Sequence, residues 1–377
     1  MCKADSGNDP LAELILFDNL TESWDVTHMY LELLKERNLP PLQSREDMLK
    51  VLQEEEYGFL PPAPEDLTWE IKKNVVPHFC GNKATYDRVT LRYTLCGKTG
   101  EFPVSCVIPN KPGKHPFFIM PNFRADVPDR FMPTEELVDN GFAVLSFYYQ
   151  DVTKDDADWS DGLAGILYPD GVRHNPTDPG KIAMWVWAVH RVMDYAQTLE
   201  QLDMNNAVAC GHSRLGKTAL LAAATDTRFT HAHSNDSGCG GAAITREKVG
   251  ETVAEICKRF PYWFCENYQK YIDRESEMPF DQHFLIASIA PRYVSVNSAI
   301  EDTWADPLSE MLSCIAASEA YDHHQMEGFV YDERAFEPEI AFGQGSIGYY
   351  LRPGTHYFSR EDWHALFAFL RNHFNRN

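Results

Sequence analysis

Short apolar runs at Pro116 to Met120, Phe142 to Phe147, Ala207 to Cys210, Tyr293 to Val296 and Ile347 to Leu351 have the continuity of strands buried on both faces. They alternate with helical segments, which predicts an α/β fold with a mostly parallel central sheet flanked by helices in three layers. Between the second and third runs, Ile182, Trp185, Val186, Val189, Met193 and Ala196 mark one face of a long crossover helix. Upstream, Arg88 to Leu95 and Phe102 to Ile108 alternate around Cys96-Gly97-Lys98-Thr99-Gly100, the pattern of a hairpin at an antiparallel edge of the sheet. Leu11 to Phe17, Trp24 to Glu36 and Arg45 to Gln53 repeat at helical spacing and are followed by the turn-rich Leu60-Pro61-Pro62-Ala63-Pro64. The expectation is a helical N-terminal extension over residues 1–80, packed on a main domain of residues 81–377.

Composition narrows the partners. The 377 residues are 44% hydrophobic and 24% charged, ordinary for a chain with a real core. The net charge of -22 repels phosphates and anionic membrane surfaces, so neither nucleic acid nor membrane is an expected partner. No apolar run approaches the roughly 18 residues of a membrane helix. The N-terminus shows no basic start followed by an apolar stretch, as a signal peptide would. The nine cysteines include no C-x-x-C pair, and several sit in apolar runs where free thiols pack as small hydrophobes. A soluble, cytoplasmic protein is expected, with its oligomeric state left open. His323 and His324 are adjacent and so do not share the helical face that paired zinc ligands use; no metal or cofactor is expected.

The chemistry concentrates at Ala207 to Ala224, which reads as a buried strand, a tight turn and an alanine-rich helix. Ser213 sits on the turn within Gly211-His212-Ser213-Arg214-Leu215-Gly216-Lys217. A nucleophile there stands at a helix N-terminus, whose free N–H groups can stabilise an oxyanion. Leu215 replaces the second glycine of G-x-S-x-G, and the glycine comes one place later. Near the C-terminus a strand runs into Arg352-Pro353-Gly354-Thr355-His356, and Ser359 caps the next helix. His356 thus occupies a loop after the last strand, where α/β-hydrolases carry the general base, whereas His364 falls within the following helix. Two places offer a carboxylate to hold the base. Asp302, favoured over Glu301 and Asp306, follows the penultimate strand, and Asp236 follows the strand after the nucleophile; either can serve. The acidic run Asp155 to Asp161 reads as a solvated loop.

The serine motif, with Asp236-Ser237-Gly238-Cys239-Gly240-Gly241, Trp304-Ala305-Asp306-Pro307 and Arg352-Pro353-Gly354-Thr355-His356, resembles the glucuronoyl esterases, carbohydrate esterase family fifteen, and their bacterial branch most. Gly250-Glu251-Thr252, Asp281-Gln282-His283 and Ala290-Pro291-Arg292 extend the resemblance over residues 80–375. It implies an α/β-hydrolase fold and metal-free hydrolysis of esters between 4-O-methyl-glucuronic acid on xylan and lignin alcohols. Ser213 then matches the nucleophile, His356 the base, Asp302 or Asp236 the acid, and Arg214 the side chain of the oxyanion site. Lys217, Glu251 and Trp304 match positions that contact the uronate sugar. The expected partner is a small-molecule or oligosaccharide uronate ester. The rival readings are an acetyl esterase on the same fold and a non-catalytic carbohydrate-binding protein.

Overall fold

Every buried strand alternates its side chains between two helical layers, and β4 (His115–Asn122) shows how. Phe117 and Ile119 face the larger core cluster, while Phe118 and Met120 face the smaller one. The structure, a computed structural model, describes residues 26–332 and 336–374. The predicted helix at Leu11 to Phe17 lies outside these residues.

Ten strands form one sheet in the order β1-β2-β3-β5-β4-β6-β7-β8-β10-β9. β1 (Asp66–Lys72), β2 (Ala84–Leu95), β3 (Lys98–Pro109) and β5 (Ala143–Tyr148) pair antiparallel in sequence. From β5 onward β4, β6 (Leu202–His212), β7 (His231–Asn235), β8 (Tyr293–Ala299) and β10 (Ile347–Arg352) run parallel. The short β9 (Ala341–Phe342) closes the far edge antiparallel. The order reverses between β4 and β6, so the carboxyl end of β6 opens at the switch point where α/β sheets place their sites.

The N-terminal region departs from the predicted all-helical extension. Helices α1 (Val26–Arg37) and α2 (Arg45–Leu52) form as expected, and Ser44 caps α2 by accepting from the Asp47 N–H. Residues 66–72 are instead a strand of the sheet: Leu67, Trp69 and Ile71 alternate with polar residues and pair with β2. A two-residue period wins there because β2 offers an open edge.

Helix α3 (Lys181–Ala196) is buried nearly all round rather than on one face. Its polar residues tolerate this because they are satisfied: the Lys181 ammonium donates to Thr153 Oγ1 at 2.9 Å and to the Asp158 carbonyl at 2.7 Å. α3 covers the sheet beside α4 (Arg214–Thr225) and α5 (Pro307–Ala317), and the opposite face is covered by α6 (Arg360–His373) with Trp363, Phe367 and Leu370. The described cysteines, six of them buried, are free thiols. No described helix is long and apolar enough to cross a membrane.

Candidate active site

The turn between β6 and α4 is built by close approach. A Cβ on Gly211 would lie 2.0 Å from the Leu215 carbonyl oxygen, and one on Gly216 2.9 Å from Ser234 Oγ. Glycine is therefore needed at 216, against β7, while Leu215 is free to enter the core, where it is fully buried. That geometry accounts for the shifted glycine. Between them Ser213 takes φ 57°, ψ -129°, a strained conformation for a residue with a side chain and the mark of a nucleophile held off a sheet edge. The Arg214 N–H opens α4 with no intrahelical partner.

His356 follows β10 and lies beside this turn: its ring centroid is 4.6 Å from that of His212, the residue before Ser213. Its Nδ1 is 2.6 Å from Asp302 Oδ2. The carboxylate fixes Nδ1–H as the donor and leaves Nε2 for the serine. Asp302 is buried while the imidazole is 43% exposed, so the ring is reachable by substrate and its orienter is not. Burial, with His356 next to it, holds the His212 imidazole well below its ordinary pKa. His212 thus stays neutral beside the more exposed His356 ring. Among the described residues no hydrogen bond holds the Ser213 hydroxyl; such links commonly tighten only when substrate binds.

The two carboxylates are not equivalent. Asp236 has an oxygen in the same cluster, its ligand atom within 4.8 Å of those of Asp302 and His356. Its hydrogen bonds, however, go elsewhere: Oδ1 accepts the Ala299 N–H at 2.8 Å, and Oδ2 accepts Arg352 Nη2 at 3.3 Å and the Tyr357 N–H at 3.4 Å. Arg352 also donates to Asp362 at 2.7 Å and to the carbonyls of Pro353 (2.9 Å), Thr355 (2.8 Å) and Tyr357. Asp236 and Arg352 therefore shape the loop that carries His356, and Asp302 touches the imidazole. Burial and the neighbouring carboxylates of Asp302, Glu310 and Asp362 push Asp236 well above its ordinary pKa, against the opposing pull of Arg352. Glu301 is exposed, and Asp306 caps α5 by accepting from Ser309. His364 lies on α6, paired with Glu136, and His323 and His324 are exposed.

Arg214 lies 4.6 Å from the centroid of the Trp263 ring, with Phe260 and Phe123 at 5.3 and 5.7 Å. Its Nη1 is paired with Asp155, and its buried Nε has no protein partner. Reading residues 155–161 as a solvated loop holds for Asp156 and Asp158, which are exposed, but not for Asp155, whose carboxylate is buried. An acidic run gives no sequence signal for which of its members turns inward.

Lys217, Glu251 and Trp304, which the resemblance assigns to the sugar, differ in what they contact. The Lys217 ammonium is buried, donates to the Ser237 and Cys239 carbonyls and lies 3.8 Å from Glu251 Oε2. With its donors engaged, it braces the glycine-rich loop after Asp236 and offers little to a ligand. The Glu251 N–H donates to the Trp304 carbonyl at 2.9 Å. Trp304 itself is 37% exposed, with the Arg259 guanidinium over its ring at 4.4 Å, and presents the apolar surface. Beneath the same loop Glu310, which sequence reading missed, accepts from the Gly238 N–H at 2.8 Å and from Ser237 and Ser298. Burial pushes its pKa up to about 7.

A hydroxyl on a strained turn, an imidazole held by a buried carboxylate, and a guanidinium beside a helix N-terminus suit acyl transfer through a tetrahedral oxyanion. Comparison with known proteins agrees. A family model described as glucuronyl esterase, fungi, matches residues 92–324. A carbohydrate esterase from an unknown prokaryotic organism is 39% identical over 244 residues, 63% of this chain and 55% of that protein. The 4-O-methyl-glucuronoyl methylesterase of Podospora anserina is 27% identical over 279 residues, 70% of this chain and 52% of that protein. The chain thus spans about half the length of the curated relatives it matches. Among solved structures, a promiscuous esterase of carbohydrate esterase family 15 from a marine bacterial metagenome superposes with TM-score 0.77 at 31% identity, covering 87% of this chain and 91% of that one. The glucuronoyl esterase of Solibacter usitatus gives 0.79 at 29% identity, covering 88% and 92%. With the family model spanning more than half its length, and this fold and site around the match, the chain belongs to the glucuronoyl esterases of carbohydrate esterase family 15.

Proposed function

We propose that the protein hydrolyses esters of 4-O-methyl-glucuronic acid, such as those of xylan-derived oligosaccharides, through an acyl-enzyme on Ser213. The observation that carries this is the Asp302–His356 hydrogen bond beside the Ser213 turn, with the Arg214 guanidinium at the same sheet end. Ser213 Oγ attacks the C6 carbonyl while His356 Nε2 takes its proton. Arg214 and its own backbone N–H receive the developing oxyanion, and His356 returns the proton to the leaving alcohol. Water, deprotonated by the same imidazole, then releases the uronate and restores the serine. Trp304 supplies an apolar face for the sugar ring, and Lys217 and Glu251 keep the loops on which that face depends.

Turnover of the methyl ester of 4-O-methyl-glucuronic acid, compared with acetylated xylo-oligosaccharide and nitrophenyl acetate, tests the reading. The uronate ester is expected to be much the best substrate, and Ser213→Ala to lose about 10⁴- to 10⁶-fold in kcat. Preference for the acetyl esters assigns the site to a deacetylase, and uronate hydrolysis surviving Ser213→Ala overturns the mechanism.

A further inference from the structure

Asp155 belongs to the loop after β5, in an acidic run where Asp156 and Asp158 face solvent and Asp161 is half-buried beside Lys181. Its carboxylate is enclosed by donors from three separate parts of the chain. Oδ1 accepts Trp263 Nε1–H at 2.6 Å, and Oδ2 accepts the Tyr149 hydroxyl at 2.7 Å and Arg214 Nη1–H. The loop is fastened further by the Tyr262 hydroxyl, which donates to the Asp155 carbonyl at 3.0 Å. Burial and the Asp155 charge push the Tyr149 hydroxyl above its ordinary pKa, so it remains a donor across the working range.

We propose that Asp155 is a positioning residue for the catalytic guanidinium: it ties down Nη1 of Arg214 and so fixes the direction in which Nη2 is offered to the oxyanion. This rests on the reading of Arg214 as an oxyanion donor. Donors contribute most to catalysis when they need not reorganise as charge develops, and an arginine side chain has many torsions to restrain. The aromatic rings of Trp263, Phe260 and Phe123 surround the guanidinium without selecting its in-plane orientation; a hydrogen bond to one nitrogen does select it. A nearby negative charge also weakens the cation's field, so removing it has two opposed effects. Orientation outweighs field here because an asparagine accepts on one side only and cannot satisfy donors on both Oδ1 and Oδ2.

The test is a cycle of Asp155→Asn and Arg214→Gln, with the methyl ester of glucuronic acid as substrate. Asp155→Asn is expected to lower kcat roughly 10- to 100-fold, part of the cost of losing an oxyanion donor, with KM changed about twofold or less. It is expected to add nothing in the Arg214→Gln background. Guanidinium ion added to Arg214→Ala restores part of kcat when Asp155 is present and none when it is Asn. An unchanged or raised kcat in Asp155→Asn, additive losses, or equal rescue of both proteins overturns the proposal. Full activity in Arg214→Gln overturns the oxyanion reading and this proposal with it; full activity in Asp155→Asn beside a crippled Arg214→Gln overturns the proposal alone. Where Asp155→Asn does not fold, Tyr149→Phe loosens the same carboxylate oxygen. An about threefold loss that vanishes with Arg214→Gln supports the proposal, and no loss or an additive one overturns it.

Discussion

Two aspartates lie within reach of one imidazole, and they differ in what they bond rather than in how near they are. Asp302 holds His356 Nδ1; Asp236 holds backbone N–H groups and Arg352. Asp302→Asn is expected to reduce kcat about 10⁴-fold, because the amide favours the wrong tautomer, with only a modest change in KM. Asp236→Asn is expected to lower the thermal midpoint, because a single amide oxygen cannot accept both from Ala299 and from Arg352 and Tyr357, and to cost far less in kcat. Steady-state kinetics with a melting curve for each variant checks the assignment, and equal kcat losses with unchanged stability would reverse it. The sequence offered both residues after strands and could not choose, since the choice depends on Arg352, fifty residues downstream of Asp302 and unremarkable in its motif. Ser213 was legible because a strand and an alanine-rich helix bracket its turn, and His356 because a strand and the Ser359 cap bracket its loop. Asp155 was not, because which carboxylate of a run turns inward is decided by Trp263, more than a hundred residues away.

Among elements, those with a strong period were read from the chain alone: the parallel strands, the hairpin and α3 all lie where the apolar runs place them. β1 was hidden by its position between a proline-rich turn and a polar loop, although Leu67, Trp69 and Ile71 alternate. Loop-to-loop fastening left no periodic trace at all. The segment around Gly250 is one such case, with φ +72° and a would-be Cβ 2.3 Å from the Thr303 carbonyl oxygen and 2.6 Å from Trp304 Cα. Lys248 Nζ and the Glu251 N–H both donate to the Trp304 carbonyl across this contact. Gly250→Ala is therefore expected to destabilise the fold by about 1–3 kcal/mol. In the protein that still folds, KM for the uronate ester is expected to rise several-fold more than kcat falls. A variant with wild-type KM would detach the Trp304 surface from sugar binding.

Across the whole molecule, buried carboxyls tie stability to pH. Glu56, from the segment after α2, is fully buried against Gln282, and burial pushes it up to about 8; Glu310 is pushed up to about 7. Both start from an ordinary value of 4.5, so between that pH and their raised values the folded state holds protons that the unfolded state has released. Each group's contribution thus falls as pH rises from about 4.5 and levels off above about 7 for Glu310 and about 8 for Glu56. Glu310→Gln and Glu56→Gln mimic the protonated forms. Each is expected to melt progressively higher than wild type as pH increases through its window, with the gap constant beyond it. Melting curves from pH 4.5 to 9 read this directly, and a gap independent of pH would mean that neither carboxyl is neutral in the fold. The burial of Glu56, with the Tyr57 hydroxyl donating to the Gly240 carbonyl at 2.9 Å, also makes the N-terminal segment part of the floor under the active-site loop.

The order of strands carries one more consequence. Ser213, Asp302 and His356 follow β6, β8 and β10, and only β7 separates the first of these strands from the second in the sheet. Their mutual spacing is set by the interstrand repeat of about 4.8 Å and by the stagger of strand ends. It does not depend on the length of chain that joins them. Loops within residues 237–292 and 303–346, outside α5 and the segment around Trp263, can thus lengthen or shorten during descent while Ser213, Asp302 and His356 keep their separation. One reaction centre can in this way be fitted with many different rims.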